Sequence, residues 1–137
     1  MNSRKQGDVG TGYAITYFLS KGYTVAIPIS DSQSYDLIIE KGGKMERVQC
    51  KTSFKKNEFG VYRIELRTVS NTRGKKLDIR KPSKKNFDSL FVTDGDGKMY
   101  LIPATEVDGR NCMSLAIRQH QVVRFGRLGE RLNPELC

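Results

Sequence analysis

Apolar positions recur at two different periods along this chain, and each change of period marks an element. Between residues 7 and 21, Ala14, Ile15, Phe18 and Leu19 fall at helical spacing, and the pattern stops at Lys21-Gly22, a basic last turn before a glycine suited to a C-cap. Residues 23–29 alternate and end at Pro28-Ile29, which predicts a first strand leaving the sheet at an edge or exit. After the polar loop DSQS, residues 35–40 and 44–54 read as two strands of a hairpin that reverses at Gly42-Gly43. Residues 61–70 alternate again, with Tyr62, Ile64 and Leu66 on one side and Arg63, Glu65 and Arg67 on the other, predicting a fourth strand with a charged, mainly basic outer face. The runs SLFVT and MYLIP flank DGDGK, a tight-turn sequence, so a second hairpin follows. Residues 104–108 suit a short helical turn and 118–125 one more short strand. In the tail 126–137, Leu128, Leu132 and Leu136 are spaced by four, but Pro134 opposes a helix, so a packing arm or subunit contact is expected. These elements predict one α/β domain over residues 1–137: a central mixed β-sheet of four or five strands, flanked by the first helix on one face and by later elements on the other.

Length agrees, since 137 residues make one domain with a real core and are too few for two of ordinary size. Charge then narrows the partner. With 24 Lys and Arg against 15 Asp and Glu, the net charge of +9 favours a polyanion, most economically nucleic acid. The excess concentrates in residues 71–86, where Arg73, Lys75, Lys76, Arg80, Lys81, Lys84 and Lys85 stand against Asp78 alone; the run shows no wide apolar face, so a solvated basic loop or short irregular helix that touches phosphates is expected. Cys50, Cys112 and Cys137 are too scattered for a disulfide framework and, with the single His120, make no zinc pattern. A reducing, cytoplasmic setting fits that usage. No leader-like apolar region opens the sequence, and no stretch approaches the length of a membrane span. DGDGK lacks the remaining ligands of a calcium loop, so turn chemistry explains it better.

The candidate chemistry lies in SYDLIIEKGGKMERVQCKT. Side chains on a strand alternate, so Arg47, Gln49 and Lys51 point one way while Val48 and Cys50 point into a packed core. Asp36 begins the partner strand, and together the acid, the amide and the amine are a candidate divalent-metal and phosphate site. The plain alternative is that Asp36 caps the turn, Gln49 satisfies an edge and Lys51 faces solvent. The glycines of GDVGTG follow no strand, which argues against a phosphate-cradling loop; they mark a helix start that lies close to other backbone or to a ligand.

A helix, a strand, and a hairpin carrying Asp and Gln-x-Lys, with a basic remainder, resemble the PD-(D/E)XK nuclease superfamily, a restriction-endonuclease-like core. The resemblance is nearest to the group I intron-encoded homing endonucleases of cyanobacteria and more distant to the Holliday junction resolvases. It covers residues 5–103 through KQGDVG, AITYFLSKGY, PIS, SYDLII, RVQCKTS and FVTDGDGKMYLIPA. The resemblance implies that Asp36 is a metal-binding aspartate, that Gln49 stands in for the second acidic residue, that Cys50 offers its backbone carbonyl, and that Lys51 is the motif lysine. The implied cofactor is Mg²⁺ or Mn²⁺, and the implied partner is double-stranded DNA cut by a homodimer or homotetramer.

One departure stands out. Relatives place a glutamate early in the first helix where this chain has Thr11. A hydroxyl brings no charge to a metal, so attenuated activity is expected unless Asp8, one helical turn earlier, substitutes through water. The resulting expectation is a site-specific double-stranded DNA endonuclease, with recognition by Arg63, Glu65, Arg67 and the basic run. The alternatives are a Holliday junction resolvase, a non-catalytic DNA-binding module descended from a nuclease, and a basic structural protein.

Overall fold

The computed structural model describes residues 2–72, 75–115 and 120–124, with side chains except at 70–72, 75–77 and 123–124. The tail expected as a packing arm, residues 126–137, lies outside the described residues, as does Arg73. The first helix, α1 (Ser3–Ser20), starts four residues before the expected start at residue 7, because the Asn2 side chain accepts a hydrogen bond from the Lys5 N–H at 2.9 Å and caps it. Gly22, with φ +84°, follows its end as expected.

The strands are β1 (Thr24–Ala26), β2 (Leu37–Lys41), β3 (Lys44–Ser53), β4 (Arg63–Glu65), β5 (Thr68–Thr72), β6 (Lys75–Arg80), β7 (Ser89–Asp94), β8 (Lys98–Pro103), β9 (Cys112–Ser114) and β10 (Gln121–Arg124), with a one-turn helix α2 (Ala104–Val107) after β8. Six of them form one sheet in the order β1-β2-β3-β7-β8-β10, larger than the four or five strands expected. β3 and β7 run parallel and the other neighbours are antiparallel, so the sheet is mixed.

Two clusters cover its two faces. On one side α1 lays Ala14, Tyr17 and Phe18 on Leu37, Ile39, Val48 and Phe91, with the Tyr17 and Phe18 rings 5.5 and 5.7 Å from the Phe91 ring. On the other, Leu90, Val92 and Ile102 meet Ile64, Leu66, Phe87, Val107 and Met113. The face of β3 that carries Gln49 and Lys51 is therefore not an open surface. It is roofed by β4 and the chain around Phe87, and the site forms where that roof ends.

Two expectations need correction. The single strand read over 61–70 is two strands, β4 and β5, because β4 leaves to pair with β9 (Ile64 opposite Met113) while β5 pairs with β6. The basic run 71–86, read as a loop or irregular helix, contains β6, which returns along β5 with Val69 opposite Ile79 and Thr68 opposite Arg80. Val69 and Ile79 are half exposed, so this hairpin stands away from the core and leaves no strong burial pattern in the sequence. None of the described helices is long and apolar enough to cross a membrane.

Candidate active site

The β2–β3 hairpin sets the geometry. Leu37 pairs with Val48, and the residue before it, Asp36, is fixed at both ends: its N–H donates to Val48 O at 2.9 Å, and its Oδ2 accepts from the Cys50 N–H at 2.7 Å. This carboxylate is thereby pinned beside Gln49. Asp36 and Gln49 share a cavity of about 310 Å³, closed by Leu66, Phe87 and Asn86 and rimmed by Thr68, Arg80, Lys81 and Ser83. Lys51 follows Gln49 on the same face of β3.

Burial dominates the electrostatics. It pushes the Asp36 carboxyl up from its ordinary value, while the Cys50 N–H and the Lys51 ammonium pull it back down. The same burial lowers Lys51, opposed by the negative charges of Asp36 and Glu65. An acid and a base, each pushed toward neutrality and each holding the other charged, make the kind of pair found at reactive sites. Cys50 turns its thiol the other way, toward α1, where burial raises it and a hydrogen bond to Thr11 opposes the rise.

Gly10 lets α1 come this close. A Cβ there would fall 2.4 Å from Thr52 Cγ2, whereas Gly7 and Gly12 face open space. Of the glycines read as a close approach, Gly10 is the one that makes it. Thr11, next in line, reaches a second cavity of about 230 Å³ that also contains Asp36. Among the described residues, Asp8 is exposed and does not line either cavity.

The other sequence candidates are spread out. Arg63 and Glu65 line a separate hollow with Lys55 and Lys56, and Arg67 Nε is bonded to Glu65 Oε1 at 2.7 Å. Lys84 and Lys85 are exposed beyond β6, Arg80 and Lys81 rim the main cavity, and only the backbone of Lys75 and Lys76 is described. Several contributors were not anticipated. Asp31 and Gln33 lie in both cavities. Asp88 receives the Arg47 N–H at 2.7 Å and its Nε at 3.3 Å, while Arg47 Nη1 donates to Lys85 O at 2.9 Å; this clamp ties the segment after β6 to β3. Arg47 stands 38 residues from Lys85 and 41 from Asp88, so no local signal could have paired them.

A divalent metal can be tested against these donors. Among the described residues no three His, Cys, Asp or Glu side chains gather. Asp36, the Gln49 amide oxygen and the Cys50 carbonyl nonetheless offer only hard oxygen atoms, including one carboxylate. Mg²⁺ is commonly held by one or two carboxylates and keeps several waters, so the donor types fit it, with less protein charge than a second acid would give.

Three comparisons bear on this arrangement. None of the curated proteins matches the chain. Among solved structures, a bacterial homing endonuclease, I-Ssp6803I, superposes with a TM-score of 0.77 at 24% identity, over 85% of this chain and 80% of that one. At that identity the likeness shows the fold. The family model described as PD-(D/E)XK endonuclease matches residues 1–126. Nearly the whole sequence is thus accounted for by one family, and the chain belongs to the PD-(D/E)XK endonucleases.

Proposed function

We propose that this chain is a site-specific double-stranded DNA endonuclease that hydrolyses phosphodiesters with a divalent metal, in a form attenuated by Thr11. The observation that carries the reading is the shared environment of Asp36, Gln49 and Lys51: a carboxylate pinned to β3 and an amide in one partly buried cavity, with a lysine following on the same face of the strand and coupled to the carboxylate by charge.

In this reading the Asp36 carboxylate, the Gln49 amide oxygen and the Cys50 carbonyl would hold Mg²⁺ or Mn²⁺. A bound divalent cation supplies charge neutralisation at the phosphate and makes a water easier to deprotonate. The residues do the rest. The Cys50 N–H fixes the orientation of the Asp36 carboxylate by bonding to Oδ2. Lys51 Nζ orients the attacking water and donates to the phosphate oxygen on which charge builds, and partial burial strengthens that interaction relative to water. Hydrolysis leaves a 5′-phosphate and a 3′-hydroxyl, as in the family. Thr11 contributes a hydroxyl where an acid would add charge, so metal affinity and rate are lower than with glutamate.

The basic residues supply binding. Lys81, Lys84 and Lys85 hold phosphates, as do Arg73, Lys75 and Lys76 in the same run, while Arg63 and Arg67, with Glu65 holding Arg67, form a second contact surface. Cutting both strands of a duplex needs two active sites, so the active species is a homodimer or homotetramer.

The substrate class is tested by incubating the protein with Mg²⁺ or Mn²⁺ on an end-labelled randomised duplex library and on a four-way junction. Cleavage of the duplex at one long site is the expected result. Selective cleavage of the junction would make the protein a resolvase, and tight duplex binding without cleavage, even after Thr11→Glu, would make it a DNA-binding module.

A further inference from the structure

The β5–β6 hairpin is a two-stranded ribbon outside the main sheet, and B-DNA admits such a ribbon into its major groove. Where the ribbon meets the cavity, Arg80 ends β6 opposite Thr68, and both residues rim the cavity that contains Asp36. A phosphate delivered to Asp36 therefore brings neighbouring base pairs to Arg80. The Arg80 side chain is 74% exposed and already held: its Nε donates to Asp78 Oδ2 at 2.9 Å, from two residues back on the same face of β6.

That bond decides between two uses of an arginine. It engages Nε, whereas bidentate recognition of guanine O6 and N7 uses the two Nη groups. A tethered arginine has fewer conformations to lose on binding, which sharpens geometric selection. A carboxylate at 2.9 Å also offsets most of the positive charge, so the pair is poorly suited to non-specific attraction of the DNA backbone.

We propose that Arg80 reads a guanine in the major groove and that Asp78 is its positioning residue. This rests on the duplex-DNA reading given above, and it assigns to one residue of the basic run a sequence-reading role distinct from the phosphate contacts of its lysines.

The test uses the full chain and a duplex selected for binding, without cleavage, from a randomised library. Dimethyl sulfate interference on that duplex reports each guanine N7 needed for binding. The parent should show at least one such guanine; Arg80→Lys, which keeps the charge, should lose interference at that base and lower the preference for guanine there by roughly 5- to 150-fold. Asp78→Asn should weaken the same preference while affinity for unselected duplex holds or rises, since a negative charge is removed. Unchanged interference in Arg80→Lys would overturn the proposal, as would uniform weakening across all sequences with a shallower salt dependence, the signature of a phosphate contact. Failure to select any duplex would remove both this proposal and the one it rests on. A selected duplex that is bound but never cut would remove only the nuclease reading.

Discussion

Alanine at Gly10 probes the contact that brings α1 to the strand bearing Lys51. The new Cβ would lie 2.4 Å from Thr52 Cγ2, and Thr52, branched at Cβ, has little freedom to swing away. Overpacking of this kind costs about 1–3 kcal/mol, while replacing a helix glycine by alanine returns about 1 kcal/mol, so Gly10→Ala should destabilise by up to about 2 kcal/mol. Gly12 sits two residues on in the same helix with nothing within 4 Å of its Cβ position. There only the propensity gain remains, and Gly12→Ala should stabilise by up to about 1 kcal/mol. Urea unfolding of both variants therefore gives a gap in which helix propensity cancels. Thr52→Ser removes the obstructing methyl, so in a double-mutant cycle it should recover most of the Gly10→Ala loss. Cleavage should fall in Gly10→Ala as well, because the Lys51 carbonyl is 3.8 Å from the same position and Thr11 is its neighbour. Equal stability of the two alanine variants, or no recovery with Thr52→Ser, would refute the close-approach reasoning.

Burial raises the Asp36 carboxyl above its unfolded value, so its ionisation weakens the fold: stability falls as pH rises from the unfolded value through the folded one and stays lower above it. Asp36→Asn should consequently abolish metal-dependent cutting yet melt higher than the parent at neutral pH in metal-free buffer. That gap should close on acidification, and a lower melting temperature at neutral pH would contradict it. Neutralising Lys75, Lys76, Lys84 and Lys85 together should flatten the salt dependence of duplex binding, by up to about 0.9 in slope per lost phosphate contact; an unchanged slope would return those residues to plain solvation. Thr11→Glu should lower the Mg²⁺ concentration needed for half-maximal cutting, and an unchanged requirement would show that this position does not serve the metal.

The parts of the fold legible in the sequence were those with one buried face. Ala14 and Phe18 pack on the sheet as their spacing required, whereas Leu19, read with them, is exposed and Tyr17 is buried in its stead; period two correctly put Gln49 and Lys51 on the face opposite Val48. SLFVT shows no alternation because β7 is covered on both sides, with Phe91 under α1 and Leu90 and Val92 in the second cluster; it hides the fact that the site face is itself largely packed. The β5–β6 ribbon escaped because Val69 and Ile79 stay half exposed and most of β6 is charged. β9, three residues long, gave no period to read. Asp36 and Lys51 were singled out by residue type and spacing, but their opposed shifts depend on burial under β4 and Phe87, which only the tertiary structure supplies.

The most direct measurement is single-turnover cleavage of a library-selected duplex by the parent and by Lys51→Ala, in Mg²⁺ and in Mn²⁺, with binding of the same duplex measured in parallel. Nearly equal affinity with cleavage lost in Lys51→Ala is the expected result, because Lys51 acts on the reacting phosphate and the basic run carries the affinity. A Lys51→Ala rate within about tenfold of the parent, where general acid–base roles are worth about 10²–10⁴, would place the chemistry elsewhere in the molecule.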